Sequence, residues 1–357
     1  MARTESRNES EPVDGGRLGY PPRRVLWVIL VGLLIALMLN ATELENEAKS
    51  KPYGPNRDVW VAIWKPFAVV SHTLYIDRPR AWLDDAIGRG DEGSIFELPA
   101  ASGGGETPAT GATEPGATAQ KGTKTPVATA TPSKPKQLIR TPSADDPLRV
   151  WVGGDSMSKI LGEALVRQAA ETGVMKPIQD SQLSSGLTRP DFFDWPGHFN
   201  DLVHQDQPDE VFVVMFGAND SQGIKTPDGK VFQDAGTDGW NAEYRRRVAG
   251  TMDLLKADNR LVIWVGQPIM RSDDLSQRME ALNVIYREEA ASRPWVRYFD
   301  LWPLFVNASG EYDPYIADDD GTVKLMRNPD GVHLVRDGGE KAARHVLDLI
   351  KKEALIP

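Results

Sequence analysis

Cysteine is absent from this sequence. No disulfide can form, no thiolate can hold zinc, and no thiol nucleophile exists, so any covalent catalysis falls to serine or another oxygen nucleophile. Histidine is scarce, at 5 residues, and His72, His198, His204 and His345 fall at no metal-binding spacing with carboxylates. The run Asp318-Asp319-Asp320 lacks the alternating ligands of a calcium loop and reads as surface charge or loop structure. No metal and no cofactor is expected. Positive charge is also in deficit: 41 Lys and Arg stand against 51 Asp and Glu, a net charge of -10. A general phosphate-binding surface needs clustered Lys and Arg, so nucleic acid is not an expected partner. No internal repeat stands out.

Large apolar residues are nearly missing from residues 99 to 147, where Ala, Gly, Thr, Pro, Ser and Lys dominate. Such a stretch cannot bury enough surface to offset chain ordering and is expected to be a disordered linker. Charge is missing from Val25 to Leu39, a run extended by Asn40 and Ala41 and preceded by Arg23, Arg24 and a basic tail over residues 1–24. Residues 25–41 are therefore expected to form a transmembrane signal anchor. Leu39-Asn40-Ala41 is a poor small-x-small cleavage site, which favours retention over cleavage. The flanking arginines keep the N-terminus in the cytoplasm and send the remainder across, so the expected location is a bacterial cytoplasmic membrane, crossed once. The apolar and aromatic stretch Val59 to Ile76 raises the question of a second span, but Lys65, Pro66 and His72 interrupt it. Residues 42–98 are instead expected to form an extracytoplasmic helical collar that packs or lies on the membrane surface.

From residue 148 onward apolar strand-like runs alternate with helical patterns. Strands are expected at Leu148–Val152, Pro177–Asp180, Val211–Phe216, Leu261–Val265 and Trp295–Leu301. Helices are expected at Met157–Glu171, Asn241–Lys256, Leu275–Ala291 and Gly339–Lys352, with Phe305–Met326 left as an irregular or hairpin insertion. This alternation predicts an α/β fold over residues 148–357: a three-layer sandwich with a mainly parallel five-stranded sheet, flavodoxin-like in build.

Four short segments carry chemistry. Gly153-Gly154-Asp155-Ser156 follows the first strand, and Asp330-Gly331-Val332-His333 lies near the C-terminus. Together they supply a serine, a histidine and a carboxylate. Between them lie Gly186, in Ser184-Ser185-Gly186-Leu187, and Gly217-Ala218-Asn219-Asp220, candidates for the donors that a developing oxyanion needs. Each segment alone also reads as a turn or a helix cap. In this order they resemble the SGNH, or GDSL-like, hydrolase family, named for Ser, Gly, Asn and His in four blocks, over about residues 148 to 355. With an anchor and a spacer in front, the whole resembles a bacterial membrane-associated subgroup of that family. The Gly-x-Ser-x-Gly elbow of α/β-hydrolases does not fit, because Ser158 stands two residues after Ser156.

The expected roles follow from the residue types. Ser156 is the nucleophile, His333 takes and returns its proton, and Asp330, three residues before His333, fixes the imidazole tautomer. The amides of Ser156 and Gly186 and the side chain of Asn219 form the oxyanion hole. Asp155 supports the nucleophile loop. Activity is expected to fall when His333 is protonated. Arg189, Trp195, Gln267 and Arg271 are candidate substrate-binding residues, the arginines suiting a carboxylate or sugar acid. The expected substrate is a small ester or an acylated, chiefly O-acetylated, cell-envelope glycan. Transfer of the acyl group to a polysaccharide, or a non-catalytic envelope-binding role on the same scaffold, are the alternatives.

Overall fold

The structure, a computed structural model, describes residues 21–51, 54–76, 137–226 and 228–356. The chain forms two compact units, Met1–Glu92 and Gly93–Pro357. The expected linker over residues 99–136, the collar's residues 77–98 and the tail's first 20 residues lie outside the described residues.

In the first unit, α1 (Pro22–Ser50) and α2 (Pro55–Thr73) each carry proline in the first turn, where its missing N–H costs no hydrogen bond. By length and composition Arg23–Lys49 can cross a membrane. Its apolar side chains, among them Trp27, Val28 and Leu33, are exposed. The helix runs well past the apolar segment, to Ser50, because nothing breaks the pattern before Pro52. α2 continues through Pro66. It rests on the far half of α1: Ala41, Glu45 and Ala48 are buried there with Ala68 and Ser71 of α2, and the Ser71 hydroxyl donates to the Met38 carbonyl at 2.7 Å.

The second unit is built on a parallel sheet of β1 (Leu148–Gly154), β2 (Met175–Ser181), β3 (Val211–Met215), β6 (Leu261–Val265) and β7 (Val296–Phe299), in the order β2-β1-β3-β6-β7. Two short hairpins are inserted beyond strand ends, β4 (Ile224–Lys225) with β5 (Phe232–Gln233), and β8 (Tyr315–Ala317) with β9 (Val323–Leu325). Five helices cover the sheet: α3 (Ser156–Glu171), α4 (Trp195–Val203), α5 (Asp238–Leu254), α6 (Asp273–Ala291) and α7 (Arg336–Glu353). α3 packs against α7 on one face, and α4, α5 and α6 follow one another on the other. That division is the one right-handed crossovers demand when the chain first winds from β1 to β2 and then back across to β3. β3 and β6 are buried at every residue, as expected for strands covered on both faces.

The reversal of winding places β2 on one side of β1 and β3 on the other. Such a switch point opens a crevice at the carboxyl ends of the strands, where open α/β sheets take their ligands. Ser156 follows β1 and Gly217 to Asp220 follow β3, so two of the four blocks are delivered there by topology alone.

Two boundaries differ from expectation. The folded unit starts before Leu148: Ile139 is buried, and Arg140 pairs with Glu210 at 2.7 Å and with Asp146 at 3.0 Å. Residues 137–147 thus belong to the domain, held by an aliphatic anchor and ion pairs rather than free as linker. α4 was not anticipated. Its nine residues begin with Trp195-Pro196-Gly197, yet Asp194 caps it by accepting the Gly197 N–H at 3.2 Å, and an acidic cap followed by proline in the first turn is the signal that marks it.

Candidate active site

Local structure first presents the serine. Asp155 follows β1 and caps α3, its carboxylate accepting the Met157 N–H at 2.9 Å. Ser156 therefore occupies the first turn of α3, partly exposed, at the positive end of the helix. Ser158 is fully buried and donates to the Asp155 carbonyl at 2.8 Å, which leaves Ser156 as the accessible hydroxyl of the pair.

His333 reaches it from the other end of the chain. Its Nε2 lies 2.9 Å from Ser156 Oγ, and its Nδ1 lies 2.7 Å from Asp330 Oδ2. The second Asp330 oxygen accepts the Val332 N–H at 2.7 Å and the His333 N–H at 3.0 Å. Burial pushes the Asp330 carboxyl up, but the His333 ring and these two amides together outweigh it and hold it below the usual range. An ionised carboxylate only accepts, so Nδ1 carries the proton and Nε2 presents its lone pair to the serine hydroxyl. Ser156, His333 and Asp330 are thus joined in one hydrogen-bonded line across 177 residues of sequence.

The other two blocks are tied to the first by buried carboxylates. Asp155 sends its second oxygen to the Gly217 N–H at 2.9 Å. Asp220 accepts the Leu187 N–H at 3.1 Å, the Thr188 N–H at 2.8 Å, the Thr188 hydroxyl at 2.9 Å and the Tyr244 hydroxyl at 2.7 Å. Both aspartates are completely buried. A Cβ on Gly186 would stand 2.2 Å from Asp220 Oδ1, so glycine is what lets this backbone lie directly on the carboxylate. The Ser156 N–H, the Gly186 N–H and the Asn219 side-chain amide, three donors on three tied segments, are without a protein acceptor among the described residues.

Burial pushes the Asp155 carboxyl up to about 7; the Gly217 N–H resists, the nearby Asp220 charge adds to the rise, and the Met157 N–H resists again. Asp220 is displaced upward as well, by burial against its hydrogen bonds. A carboxyl that holds its proton more tightly when folded stabilises the fold fully below its unfolded value of about 4, and loses that contribution as pH rises through its folded value. Asp155→Asn keeps a neutral group there at every pH. It is expected to lower the urea midpoint more at pH 5 than at pH 8, the two differences separated by on the order of 2 kcal/mol. A penalty equal at both pH values would show that wild-type Asp155 is already ionised at pH 5.

The four expected substrate-binding residues divide. Arg189 is buried, forms a two-pronged pair with Asp191 at 2.9 and 3.2 Å, and donates to Gln222 at 3.3 Å. Trp195 is buried among Trp151, Phe193, Phe199 and Phe216, with its indole N–H on Ser185 Oγ at 2.9 Å. Gln267 is buried and donates to the Phe216 carbonyl at 2.6 Å, supporting Gly217 from beneath. All three side chains are thus turned into the fold: Arg189 makes the internal salt bridge its residue type also allows, the Trp195 indole is capped by Ser185, and Gln267 leaves its Oε1 buried without a partner among the described residues. Arg271 alone is exposed beside the histidine loop, donating to the Pro329 carbonyl at 2.7 Å. Asp155 supports the nucleophile loop as expected and also ties it to Gly217, whereas the strut role of Asp220 and of Tyr244 behind it is not legible in sequence, although Asp220 stands within a motif block. Among the described residues, no group of three or more His, Cys, Asp or Glu is arranged to hold a metal.

The family described as "Protein of unknown function (DUF459)" matches residues 149–349. No curated protein matches the sequence. Solved structures of similar fold include a GDSL-like lipase from Bacteroides thetaiotaomicron, at 14% identity over 57% of this chain and 88% of that one, TM-score 0.41. A carbohydrate esterase family 3 protein from Talaromyces cellulolyticus aligns at 14% identity over 59% and 100% of the two chains, TM-score 0.39. An acetylxylan esterase from Geobacillus stearothermophilus aligns at 12% identity over 60% and 96%, TM-score 0.39.

Proposed function

Because the chain belongs to the DUF459 family of proteins of unknown function, its chemistry has to be read from its own site, and we propose that it is a membrane-anchored serine esterase cleaving O-acyl, chiefly O-acetyl, esters on cell-envelope glycans. The observation that carries this reading is the unbroken line from Ser156 Oγ through His333 to Asp330, with contacts of 2.9 and 2.7 Å. Ser156 Oγ attacks the ester carbonyl carbon while its proton passes to His333 Nε2. The carbonyl oxygen, now negative, is met by the Ser156 and Gly186 N–H groups and the Asn219 amide. His333 returns the proton to the departing alcohol oxygen as the C–O bond breaks, leaving acyl-Ser156. Water, deprotonated by the same histidine, then releases the carboxylic acid and restores the serine. Asp330 stabilises the imidazolium at both stages.

Location supports the glycan. α1 has the length and composition to span a membrane, and the arginines at its start favour a cytoplasmic N-terminus with the catalytic unit outside. A Pro- and Thr-rich tether over residues 99–136 would give that unit reach within the envelope. In the test, full-chain protein in detergent is incubated with purified O-acetylated envelope polymers and released acetate is measured. Wild type is expected to release acetate and Ser156→Ala to release none. If a glycan hydroxyl captures the acyl group instead of water, acetate stays low and the acceptor gains it, which replaces hydrolysis by transfer. A folded wild type that does neither, and leaves p-nitrophenyl acetate intact, overturns the esterase reading in favour of a binding role.

A further inference from the structure

Arg327 is an expensive residue in its place. Its side chain is completely buried, and among the described residues no carboxylate pairs with it. A desolvated cation without a counter-charge is retained only where its hydrogen bonds do something an apolar side chain cannot. Here those bonds go to the backbone of two loops. One Nη donates to the Ile269 carbonyl, in the loop that follows β6, and the other donates to the Val332 carbonyl at 2.7 Å, in the histidine loop. The same nitrogen lies 3.5 Å from the Gly331 carbonyl and 3.3 Å from Met270 Sδ. The guanidinium carbon sits 5.3 Å from the centre of the Tyr312 ring. Arg271 approaches that ring at 5.8 Å, and its own N–H donates to the Gly331 carbonyl at 3.0 Å.

The Val332 carbonyl and the His333 N–H belong to one peptide unit. Its oxygen is held by Arg327, and its N–H is held by Asp330 Oδ1 at 3.0 Å. With both ends of that rigid plane fixed, the His333 N and Cα are placed, and the Asn328 N–H donating to the His333 carbonyl at 2.9 Å holds the residue from its other side, which together set the direction in which its side chain leaves the backbone. Taking the esterase reading as its premise, we infer that Arg327 is a positioning residue for the catalytic histidine, locking the Val332–His333 peptide to the loop after β6 so that the imidazole points at Ser156. Burial pushes the Arg327 guanidinium down to about 10, against the pull of Tyr312 and Asp330 and with Arg271 adding to the fall, so the clamp stays charged at neutral pH. A lysine cannot replace it, because one ammonium lacks the planar fork that spans two carbonyls.

The test uses full-chain protein in detergent, with Arg327→Lys and Arg327→Met beside wild type. Three readouts are taken: thermal midpoint, kcat and KM for p-nitrophenyl acetate, and the far-downfield proton resonance of the His333 Nδ1–H bonded to Asp330, assigned by its loss in His333→Gln. Both variants are expected to fold and to lose or shift that resonance. Their kcat is expected to fall about 100-fold with KM within about twofold, since a misplaced reacting group costs rate rather than binding. Folded variants with the wild-type resonance and kcat would overturn the assignment. Full activity in Arg327→Lys would reduce the role to charge, and failure of both variants to fold would make Arg327 a residue of the fold at large; either result also overturns it. Should the esterase reading itself fail, wild type shows no turnover while the resonance still reports whether Arg327 orients His333.

Discussion

Ser156→Ala is expected to fold like wild type and to lose about 10⁴-fold or more in kcat toward p-nitrophenyl acetate, equivalent to about 5.5 kcal/mol of transition-state stabilisation. The side chain is partly exposed and its hydroxyl contact is to His333, so deleting one oxygen opens no core cavity. What disappears is the covalent route. Donors on Ser156, Gly186 and Asn219 remain and sustain a small residual rate over water. Ser158 cannot take over, because it is buried with its hydroxyl committed to the Asp155 carbonyl and 2.8 Å from Ser181 Oγ. Activity within tenfold of wild type in the purified variant would remove Ser156 from the mechanism.

The largest expected effect on stability lies two residues earlier in the chain. Gly154 closes β1 with φ +140, and a Cβ there would stand 1.9 Å from the Met215 carbonyl oxygen and 2.8 Å from its carbon. Neither atom can move cheaply. β1 is bonded to β2 on one side and β3 on the other, and the Met215 oxygen also accepts the Asp155 N–H at 3.2 Å. Gly154→Ala therefore forces apart two central strands in a backbone conformation that side chains avoid. A loss of about 4 kcal/mol or more is expected, comparable to the whole stability of many domains. Gly173→Ala is the control: its φ is +69, but nothing lies within 4 Å of the added carbon, so about 1–2 kcal/mol is expected. Urea midpoints read from tryptophan fluorescence compare the two, and equal midpoints would show that β1 and β3 separate easily at this point.

Legibility in the sequence followed locality. β3 and β6 were readable because strands covered on both faces must be apolar throughout, and Val211 to Met215 and Leu261 to Val265 are. β2 was recognised only in its middle, since as an edge strand it carries Lys176, Gln179 and Asp180 and leaves half its surface to solvent. α4 was missed because nine residues hold too few turns for a helical period to emerge, and Pro196 and Gly197 read as loop. Ser156, Asp330 and His333 could be named because the motif blocks are short and sequential. The role of Gln267 could not, because it rests on a contact with Phe216, 51 residues away in sequence; Arg189 pairs with Asp191 only two residues on, but sequence does not show whether that pair is buried or free for a ligand. A buried guanidinium and a surface one look alike until the tertiary fold decides which carbonyls or carboxylates they meet.

Peptide mapping by mass spectrometry after treatment with a fluorophosphonate probes the central chemistry most directly, since phosphonylation requires a serine oxygen activated by a neighbouring base. Full-chain wild type is expected to carry one adduct, on the peptide containing Ser156, with none on Ser156→Ala and strongly slowed labelling on His333→Gln. A folded wild type that stays unlabelled, or an adduct that persists at another residue in Ser156→Ala, would contradict it.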